Sequence, residues 1–421
     1  MIERSEWTGS RTQTSSALAK KVAEQQRALS PPRSIELPVE LWWGIIDLVA
    51  DEIPSYMDGR NELRELARVC RAWYTRCRFH AEERLDIIER DKKEVYRLIS
   101  RLNEHPERYS RINSVRFVND KINSFGSFVI LMAGKLPQVE TLSCGNRHSP
   151  GLCEWIPGQL HTQVFLHVRV AFESVTTLRL CFVRFPSAMV FGKLLCALPH
   201  LASLVCEGVY FKNPGVIPGT TRSLLQFGTL DLLDSRCIVD FLIETGVGAF
   251  LSHVIIRRSG DLEACSTLVR VAALSLSSFH FTIIGRHDLR TFNESGPGLL
   301  PDLTPARNLR ILFIVLGAFS FDSRELAAAL PRASLPNLDE INITAMQVRK
   351  TKIKLDKLDD FSYSQIDRIL SGPRFPALQK FTLHLQCRVF RCNVKDVLSE
   401  TIWRTHLSSK LPLLHASGRL L

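Results

Sequence analysis

The chain has 421 residues, of which 45% are hydrophobic and 23% are charged, and it carries a formal net charge of +11. This composition is typical of a folded protein, and the length suffices for two or three domains or for one long repeat array. Residues 309–319, the longest apolar stretch, are too few to span a bilayer, and the N-terminus lacks the apolar core of a secretory signal. We therefore expect an intracellular protein, in the cytoplasm or the nucleus, with no membrane segment.

The excess of positive charge would suit an acidic partner, nucleic acid or a membrane surface. Lysine and arginine are nevertheless spread along the chain without one dominant block, and the densest run, QVRKTKIKLDKLDD, becomes acidic at its end. We favour a solvated basic surface and keep nucleic-acid binding only as an alternative.

Residues 1–33 predict a disordered leader, because they are rich in Ser, Thr, Arg and Gln and close with SPPR. A helical domain is predicted over residues 34–85, with helices in VELWWGIIDLVA, NELRELARVC and RAWYTRCRFHAEE. A unit this short buries little apolar surface, so it is marginal alone and needs a neighbour or a partner.

The first of these helices is apolar around much of its circumference. Two adjacent stripes run along it, Leu41, Ile45 and Leu48 on one and Trp42, Ile46 and Val49 on the other. A face this wide must be covered. Either the same chain covers it, with the helices capping the first repeat, or a partner protein does.

From residue 86 the pattern changes. Residues 86–110 predict one or two helices that form a linker or cap, and a strand phrase then recurs at intervals of about 24 to 40 residues. In each copy, an apolar residue is followed by a second one three positions later and by a third one five positions later, as in LPHLASLVC and LPNLDEINI. Segments with a helical pattern fill the gaps between copies of the phrase. The central apolar residues of the ten copies are Val115, Leu142, Leu178, Leu204, Leu230, Val254, Phe279, Leu312, Ile341 and Phe381.

This repetition predicts an α/β fold in which residues 86–421 form an irregular leucine-rich-repeat-like solenoid with a parallel sheet on the concave face. Two ordinary α/β domains are the alternative. A regular repeat of this kind uses an asparagine to bridge successive turns, whereas the equivalent positions here are Asp120, Arg147, Val183, Val209 and Ser235. The turns must therefore be satisfied by other groups. The final segment, KLPLLHASGRLL, begins like a further copy without a polar cap behind it, as an unusual tail or a truncated product would.

Motifs for catalysis or metal binding are absent from the sequence. It has no P-loop, no G-x-G-x-x-G, no H-E-x-x-H and no G-x-S-x-G. The eleven cysteines include no C-x-x-C pair, and the closest two, Cys387 and Cys392, have no histidines at finger spacing. We expect no catalytic residues, no metal and no cofactor, and we expect most cysteines to be small buried hydrophobic residues.

Residues 37 to about 80 resemble an F-box. The family pattern is Leu-Pro, a glutamate two residues later, a Leu/Ile run on a first helix, and then Val-Cys-Arg-x-Trp. The sequence has LPVEL followed by LARVCRAWY, in that order and ahead of leucine-rich-like repeats. It is similar to fungal F-box proteins with degenerate leucine-rich repeats, although the segment at 51–62 is longer than the usual loop between the two halves.

The resemblance implies a three-helix F-box that docks on the Skp-type adaptor of an SCF-type cullin–RING ubiquitin ligase, and through it on a cullin. The adaptor-binding residues that it implies are Leu37, Pro38, Leu41, Ile45, Leu48, Leu66, Val69, Cys70 and Trp73. The protein would then be a non-catalytic substrate receptor whose solenoid binds a protein target. The alternative is a stand-alone repeat scaffold for protein–protein interaction that does not join a ligase.

Overall fold

The computed structural model describes residues 37–52, 59–88, 92–118, 124–145, 152–155, 162–213, 225–257, 261–283, 300–316, 330, 334–347, 360–387 and 399–421. The predicted leader, residues 1–33, lies outside these ranges. The chain divides into two compact units, Met1–Ala81 and Glu82–Leu421.

The three predicted helices make up the described part of the first unit, and only the last two residues of the third lie beyond its boundary at Ala81. The helices are α1 (Val39–Glu52), α2 (Gly59–Ala67) and α3 (Arg71–Glu83). The carbonyl of Pro38 accepts hydrogen bonds from the amides of Leu41 and Trp42 and so begins α1. The unit has its own small core, which consists of the buried Ile46, Ala50, Leu63 and Cys77 with Val49, Leu66, Ala67 and Trp73 packed against them.

The second unit alternates strands with helices. Its strands are β1 (Arg84–Ile88), β2 (Ser114–Val118), β3 (Thr141–Gly145), β4 (Cys153–Glu154), β5 (Thr177–Cys181), β6 (Val183–Ser187), β7 (Ser203–Glu207), β8 (Tyr210–Asn213), β9 (Thr229–Leu233), β10 (His253–Arg257), β11 (Ser278–Ile283), β12 (Ile311–Leu316), β13 (Glu340–Gln347) and β14 (Lys380–Cys387). Its α-helices are α4 (Lys92–Glu104), α5 (Phe125–Met132), α6 (Thr162–Ala171), α7 (Ala188–Cys196), α8 (Arg236–Thr245), α9 (Leu262–Val271), α10 (Asp360–Leu370), α11 (Glu400–Lys410) and α12 (Pro412–Ala416).

Eleven of the strands form one parallel sheet in the order β1-β2-β3-β5-β7-β9-β10-β11-β12-β13-β14. The ten predicted central residues form a single row across it, each paired with the next, from Val115 beside Leu142 to Ile341 beside Phe381. All ten are buried. The repeating strand–helix unit is therefore confirmed, and the mixed α/β fold is that of a leucine-rich-repeat-like solenoid.

One backbone device recurs where the strands begin. Two consecutive amides donate to the same carbonyl one repeat earlier: Ala202 and Ser203 both donate to Thr176, and Gly228 and Thr229 both donate to Ala202. The shared acceptor fixes where each strand begins relative to the one before. Alternation along the strands then directs one set of side chains to the core and the other to the opposite side of the sheet.

A second, three-stranded parallel sheet has the order β4-β6-β8. Its inward side chains belong to a continuous aromatic run in the core, in which neighbouring ring centroids are 4.7 to 6.4 Å apart. The rings of this run are Phe125, Trp155, Phe185, Phe191, Phe211 and Phe241.

Two sequence-based expectations need correction or refinement here. Helix over residues 86–110 is right for Lys92–Glu104 but wrong for Asp86–Ile88, which belong to β1. A charged residue is not expected in a buried strand position, but Asp86 is buried here because Arg116 on β2 pairs with it at 3.0 Å. Of the five positions where a regular repeat has asparagine, Asp120 and Arg147 lie outside the described residues. At the other three, Val183 and Val209 are buried apolar residues, and Ser235 bridges turns through its hydroxyl.

The final segment packs against the last strand. Leu420 forms a parallel bridge with Phe381, and both carboxylate oxygens of the buried Asp367 accept hydrogen bonds of 2.9 Å from the first amides of α12. The segment thus packs against β14 and α10. Within the described ranges, no helix has the length and apolarity needed to cross a membrane.

Candidate functional site

Helix α1 presents its two apolar stripes to different surroundings. Ile46 is 1% exposed in the small core, and Trp42 and Val49 are half-buried beside it. Leu41, Ile45 and Leu48 are 54%, 41% and 62% exposed. These three residues, the exposed α1 stripe, lie along one side of the helix at i, i+4 and i+7. A row of large exposed apolar side chains, unlike single scattered ones, marks an interaction surface.

The connection between α2 and α3 adds further exposed residues. Val69 is 61% exposed, and Cys70 next to it is an exposed free thiol. Helix α2 ends at Ala67, so Val69 and Cys70 leave the helical face on which Leu63 and Leu66 point to the core. The helix predicted in NELRELARVC would have placed Cys70 on the same face as Leu63 and Leu66, and the early end of α2 at Ala67 is the reason for the difference.

The remaining predicted adaptor residues have mixed positions. Pro38 is exposed and Leu37 is half-buried. Leu66 and Trp73 pack against the small core, and the rings of Trp73 and Trp42 lie 4.8 Å apart. These two side chains therefore support the unit from within, whereas the exposed α1 stripe and Val69 are directly available to a partner.

An ion-pair cluster that the sequence did not indicate holds α1 against α3. Arg76 donates two hydrogen bonds of 2.6 Å to the two carboxylate oxygens of Asp47, and His80 Nε2 lies 2.8 Å from Asp47 Oδ1. The hydrogen bond from Arg76 is the largest cause that lowers the pKa of Asp47 from 3.8 to about 2, with His80 adding to it against the effect of burial. Asp47 lies on the arc of α1 that neither stripe occupies, on the far side of the buried Ile46 and Ala50 from the exposed α1 stripe. Its contacts with α3 therefore help to hold α1 in the rotation that leaves this stripe outward.

Sequence reasoning also missed four other exposed apolar residues of the unit. They are Val39, Trp43, Tyr74 and Phe79. Val39 and Trp43 could have been found from the composition of α1, since a helix with this many apolar residues cannot bury them all in a three-helix unit.

In the second unit, the side of the large sheet opposite the helices carries mostly polar residues. The spacing of the strand phrase predicts that Thr141, Thr177, Arg179, Ser203, Thr229, Asp231, Arg310, Glu340 and Lys380 lie on this side. Thr141, Thr177, Ser203, Thr229, Glu340 and Lys380 share one row, and Arg179 and Asp231 lie two residues further along their strands. Arg310 does not share the row, because it precedes β12 and Ile311 occupies that row.

Charged residues on this side of the sheet pair across neighbouring strands. Lys380 Nζ is 2.5 Å from Glu340 Oε1, and its hydrogen bond lowers the pKa of Glu340. Arg257 bonds Asp231, whose pKa is nevertheless raised, chiefly by burial. Between these two pairs lies a patch of lower polarity, with the ring of His280 5.7 Å from that of Phe313.

No group of three or more histidine, cysteine or acidic side chains that could hold a metal ion occurs among the described residues. Burial raises the pKa of the thiols of Cys144, Cys206 and Cys237, to about 11 for Cys237, so these cysteines remain protonated and unreactive.

No protein-family model matches the sequence, and no curated protein matches it. Among solved structures, the chain is similar to a chain of the crystallised complex of Rad7 and Elc1 in yeast, with 14% sequence identity and a TM-score of 0.33. The match covers 91% of this chain and 97% of that chain.

Proposed function

We propose that this protein is a non-catalytic substrate receptor of an SCF-type ubiquitin ligase. Its first unit docks on a Skp-type adaptor, and its second unit holds a protein target. The observation that carries the proposal is the exposed α1 stripe: Leu41, Ile45 and Leu48 stay in solvent although the adjacent stripe of the same helix packs in or against a core. The F-box-like pattern of Leu37, Pro38 and the later Val-Cys-Arg-x-Trp supports the same assignment.

The physics of docking favours a partner with an apolar groove. Fully burying one leucine or isoleucine side chain is worth about 1.5–3 kcal/mol, and three along one helix face act as the anchors of a helix-in-groove contact. Exposed arginines on α2 and α3, such as Arg64 and Arg71, would speed encounter with an acidic adaptor more than they would strengthen the complex.

The second unit suits target binding because a long parallel sheet offers one continuous face with side chains at fixed spacing. Ubiquitin transfer would be performed by other subunits, so the receptor needs no catalytic residue of its own. A stand-alone scaffold is the competing proposal, and it differs only in that the exposed α1 stripe binds no adaptor.

Co-expression of the full chain with a Skp-type adaptor, followed by affinity capture, tests the proposal. We expect the wild type to retain the adaptor, and we expect Leu48→Asp and Val69→Asp to weaken retention by about thirtyfold, the equivalent of roughly 2 kcal/mol for a central anchor. Leu274→Asp is the matched control, because Leu274 is 88% exposed in the second unit.

Retention of the adaptor by wild type and Leu274→Asp, together with loss in the two first-unit variants, supports the receptor role. Failure of the folded wild type to retain the adaptor contradicts it and leaves the scaffold proposal. Equal loss in all three variants would show that an added charge, and not the exposed α1 stripe, reduces binding.

A further inference from the structure

An open groove lies along the small sheet in the second unit. Its volume is about 540 Å³, and its lining residues are Leu152, Phe182, Arg184, Tyr210, Phe211 and Lys212. A groove of this size accommodates a few residues of a peptide or a ligand of similar size. It differs in place and chemistry from the face of the large sheet described above.

Aromatic rings form the floor of the groove, and backbone conformation fixes one of them. Phe182 has a φ of 54°, and its backbone donates to Glu207 and accepts from Cys153. Its ring lies over Gly208, where a Cβ atom would come within 2.7 Å of it. A phenylalanine at positive φ is unfavourable, and such conformations persist where the surrounding structure enforces them. The floor of the groove is therefore pre-formed.

Two cations stand beside these rings. Arg184 pairs in register with Tyr210, and Lys212 follows two residues further on the same face of β8. Strand spacing and rise per residue place their Cα atoms roughly 8 Å apart. Glu154 lies 3.2 Å from Arg184, but both side chains are about half-exposed, so this pair leaves the arginine available. Lys212 is exposed and makes no ion pair with any residue that the structure describes.

We propose that this groove binds an extended acidic segment of a protein, with carboxylates directed at Arg184 and Lys212 and an apolar or aromatic side chain on Phe182 and Tyr210. Alternate side chains of an extended peptide are about 7 Å apart, which matches the spacing of the two cations. A nucleic acid fits less well, because its backbone needs a longer basic track than two cations and would approach Glu154. The proposal names the chemistry of a target segment and in that respect rests on the proposed function.

Fluorescence anisotropy with the full chain tests the groove without any adaptor, so its result is independent of ligase assembly. The probe is a fluorescein-labelled peptide Gly-Glu-Phe-Glu-Leu-Glu-Gly, with a peptide that has glutamine in place of glutamate and a labelled decathymidylate for comparison. The variant Arg184→Gln/Lys212→Gln removes the two groove cations. Arg169→Gln/Lys193→Gln removes two exposed cations of the same types from α6 and α7 and is the matched control.

We expect saturable binding of the acidic peptide to the wild type and to the control variant, and binding weaker by about tenfold or more in the groove variant and for the glutamine peptide. Tyr210→Ser should weaken binding of the acidic peptide without changing its salt dependence. Three results would overturn the proposal: no saturable binding to the wild type, an equal loss in the groove and control variants, or tighter binding of the decathymidylate, which would indicate a nucleic-acid site.

Discussion

The hydroxyl of Ser235 accepts a hydrogen bond of 3.0 Å from the backbone amide of Val209, which lies 26 residues earlier in the chain. The same hydroxyl donates to the carbonyl of Leu233, and the thiol of Cys237 donates to the carbonyl of Val209. Both backbone groups of Val209 are thus satisfied by side chains of the following repeat. A serine and a cysteine together perform the bridging that one asparagine performs in a regular repeat.

Replacement of Ser235 by alanine leaves the buried amide of Val209 without its acceptor. We expect the free energy of unfolding to fall by about 1–3 kcal/mol, because no hydrogen bond then compensates the desolvation cost of the buried donor. Urea unfolding followed by circular dichroism measures the change. Ser100→Ala, on the exposed side of α4, should stay within about 0.5 kcal/mol of the wild type. Equal midpoints for the two variants would contradict the bridging role.

Alanine substitution at two glycines with positive φ distinguishes the cost of backbone strain from the cost of a steric clash. A Cβ at Gly145 would lie 1.8 Å from the carbonyl oxygen of Cys181, whereas a Cβ at Gly134 would have nothing within 4 Å. We expect Gly134→Ala to cost about 1–2 kcal/mol for the left-handed conformation alone. Gly145→Ala should have a larger total cost, about 4 kcal/mol or above, because β3 and β5 must separate to make room for the added Cβ. Thermal melting compares them, and a smaller effect at Gly145 would refute the close approach.

Acidification should loosen the first unit through Asp47. Its pKa is lowered to about 2 in the folded state, so its stabilising contribution is complete above pH 4 and is lost as the pH falls from about 4 to about 2. Since Asp47 and Arg76 are each about one-third exposed, solvent screening limits this contribution to about 1 kcal/mol.

Asp47→Asn is expected to remove that contribution at neutral pH. Hydrogen exchange of peptides from Val39–Glu52 should accelerate about fivefold at pH 7, and the difference from the wild type should shrink toward pH 2. Asp240→Asn, which weakens an exposed helical pair in the second unit, serves as the control. An unchanged exchange rate in α1 would mean that Asp47 does not hold the helix.

The carboxylate of Asp367 should control how firmly the end of the chain is held. Its replacement by alanine removes both acceptors of the α12 amides, at a cost of about 2 kcal/mol for a lost helix cap. We expect trypsin to cleave after Lys410 faster than in the wild type. Glu104→Ala, which removes an exposed acid from α4, should leave the cleavage rate unchanged, and the same rate in both variants would contradict the capping role.

The register of the large sheet could be predicted because it depends on local spacing. Leu204 and Leu230 can be assigned to the core from the residues three positions before and two positions after each of them. Each copy of the phrase therefore suffices to locate its own strand. β1 could not be predicted this way, because Glu82 stands three positions before Leu85, where the phrase has an apolar residue, and because the partner of Asp86 is 30 residues away. The small sheet was hidden because Val183 and Val209 stand where the pattern leads one to look for asparagine.

At the candidate site, helical periodicity identified Leu41, Ile45 and Leu48, but it could not distinguish the inward stripe from the outward one. That choice depends on contacts with α2 and α3 in the small core and on those of Arg76 and His80 with Asp47, which lies 29 and 33 residues from them. The groove could not be predicted either, because Phe182 and Tyr210 come together only when successive repeats stack. Contacts within one repeat can be predicted from the sequence, whereas contacts between repeats cannot.

The strand order of the large sheet has a consequence for biosynthesis. Each strand pairs only with strands from adjacent repeats, and the order follows the chain from β1 to β14. A growing chain can therefore add each strand to a finished layer as it leaves the ribosome, without waiting for distant sequence. The newest strand always presents an unpaired edge during synthesis. At β14 that edge is shortened when Leu420 pairs with Phe381.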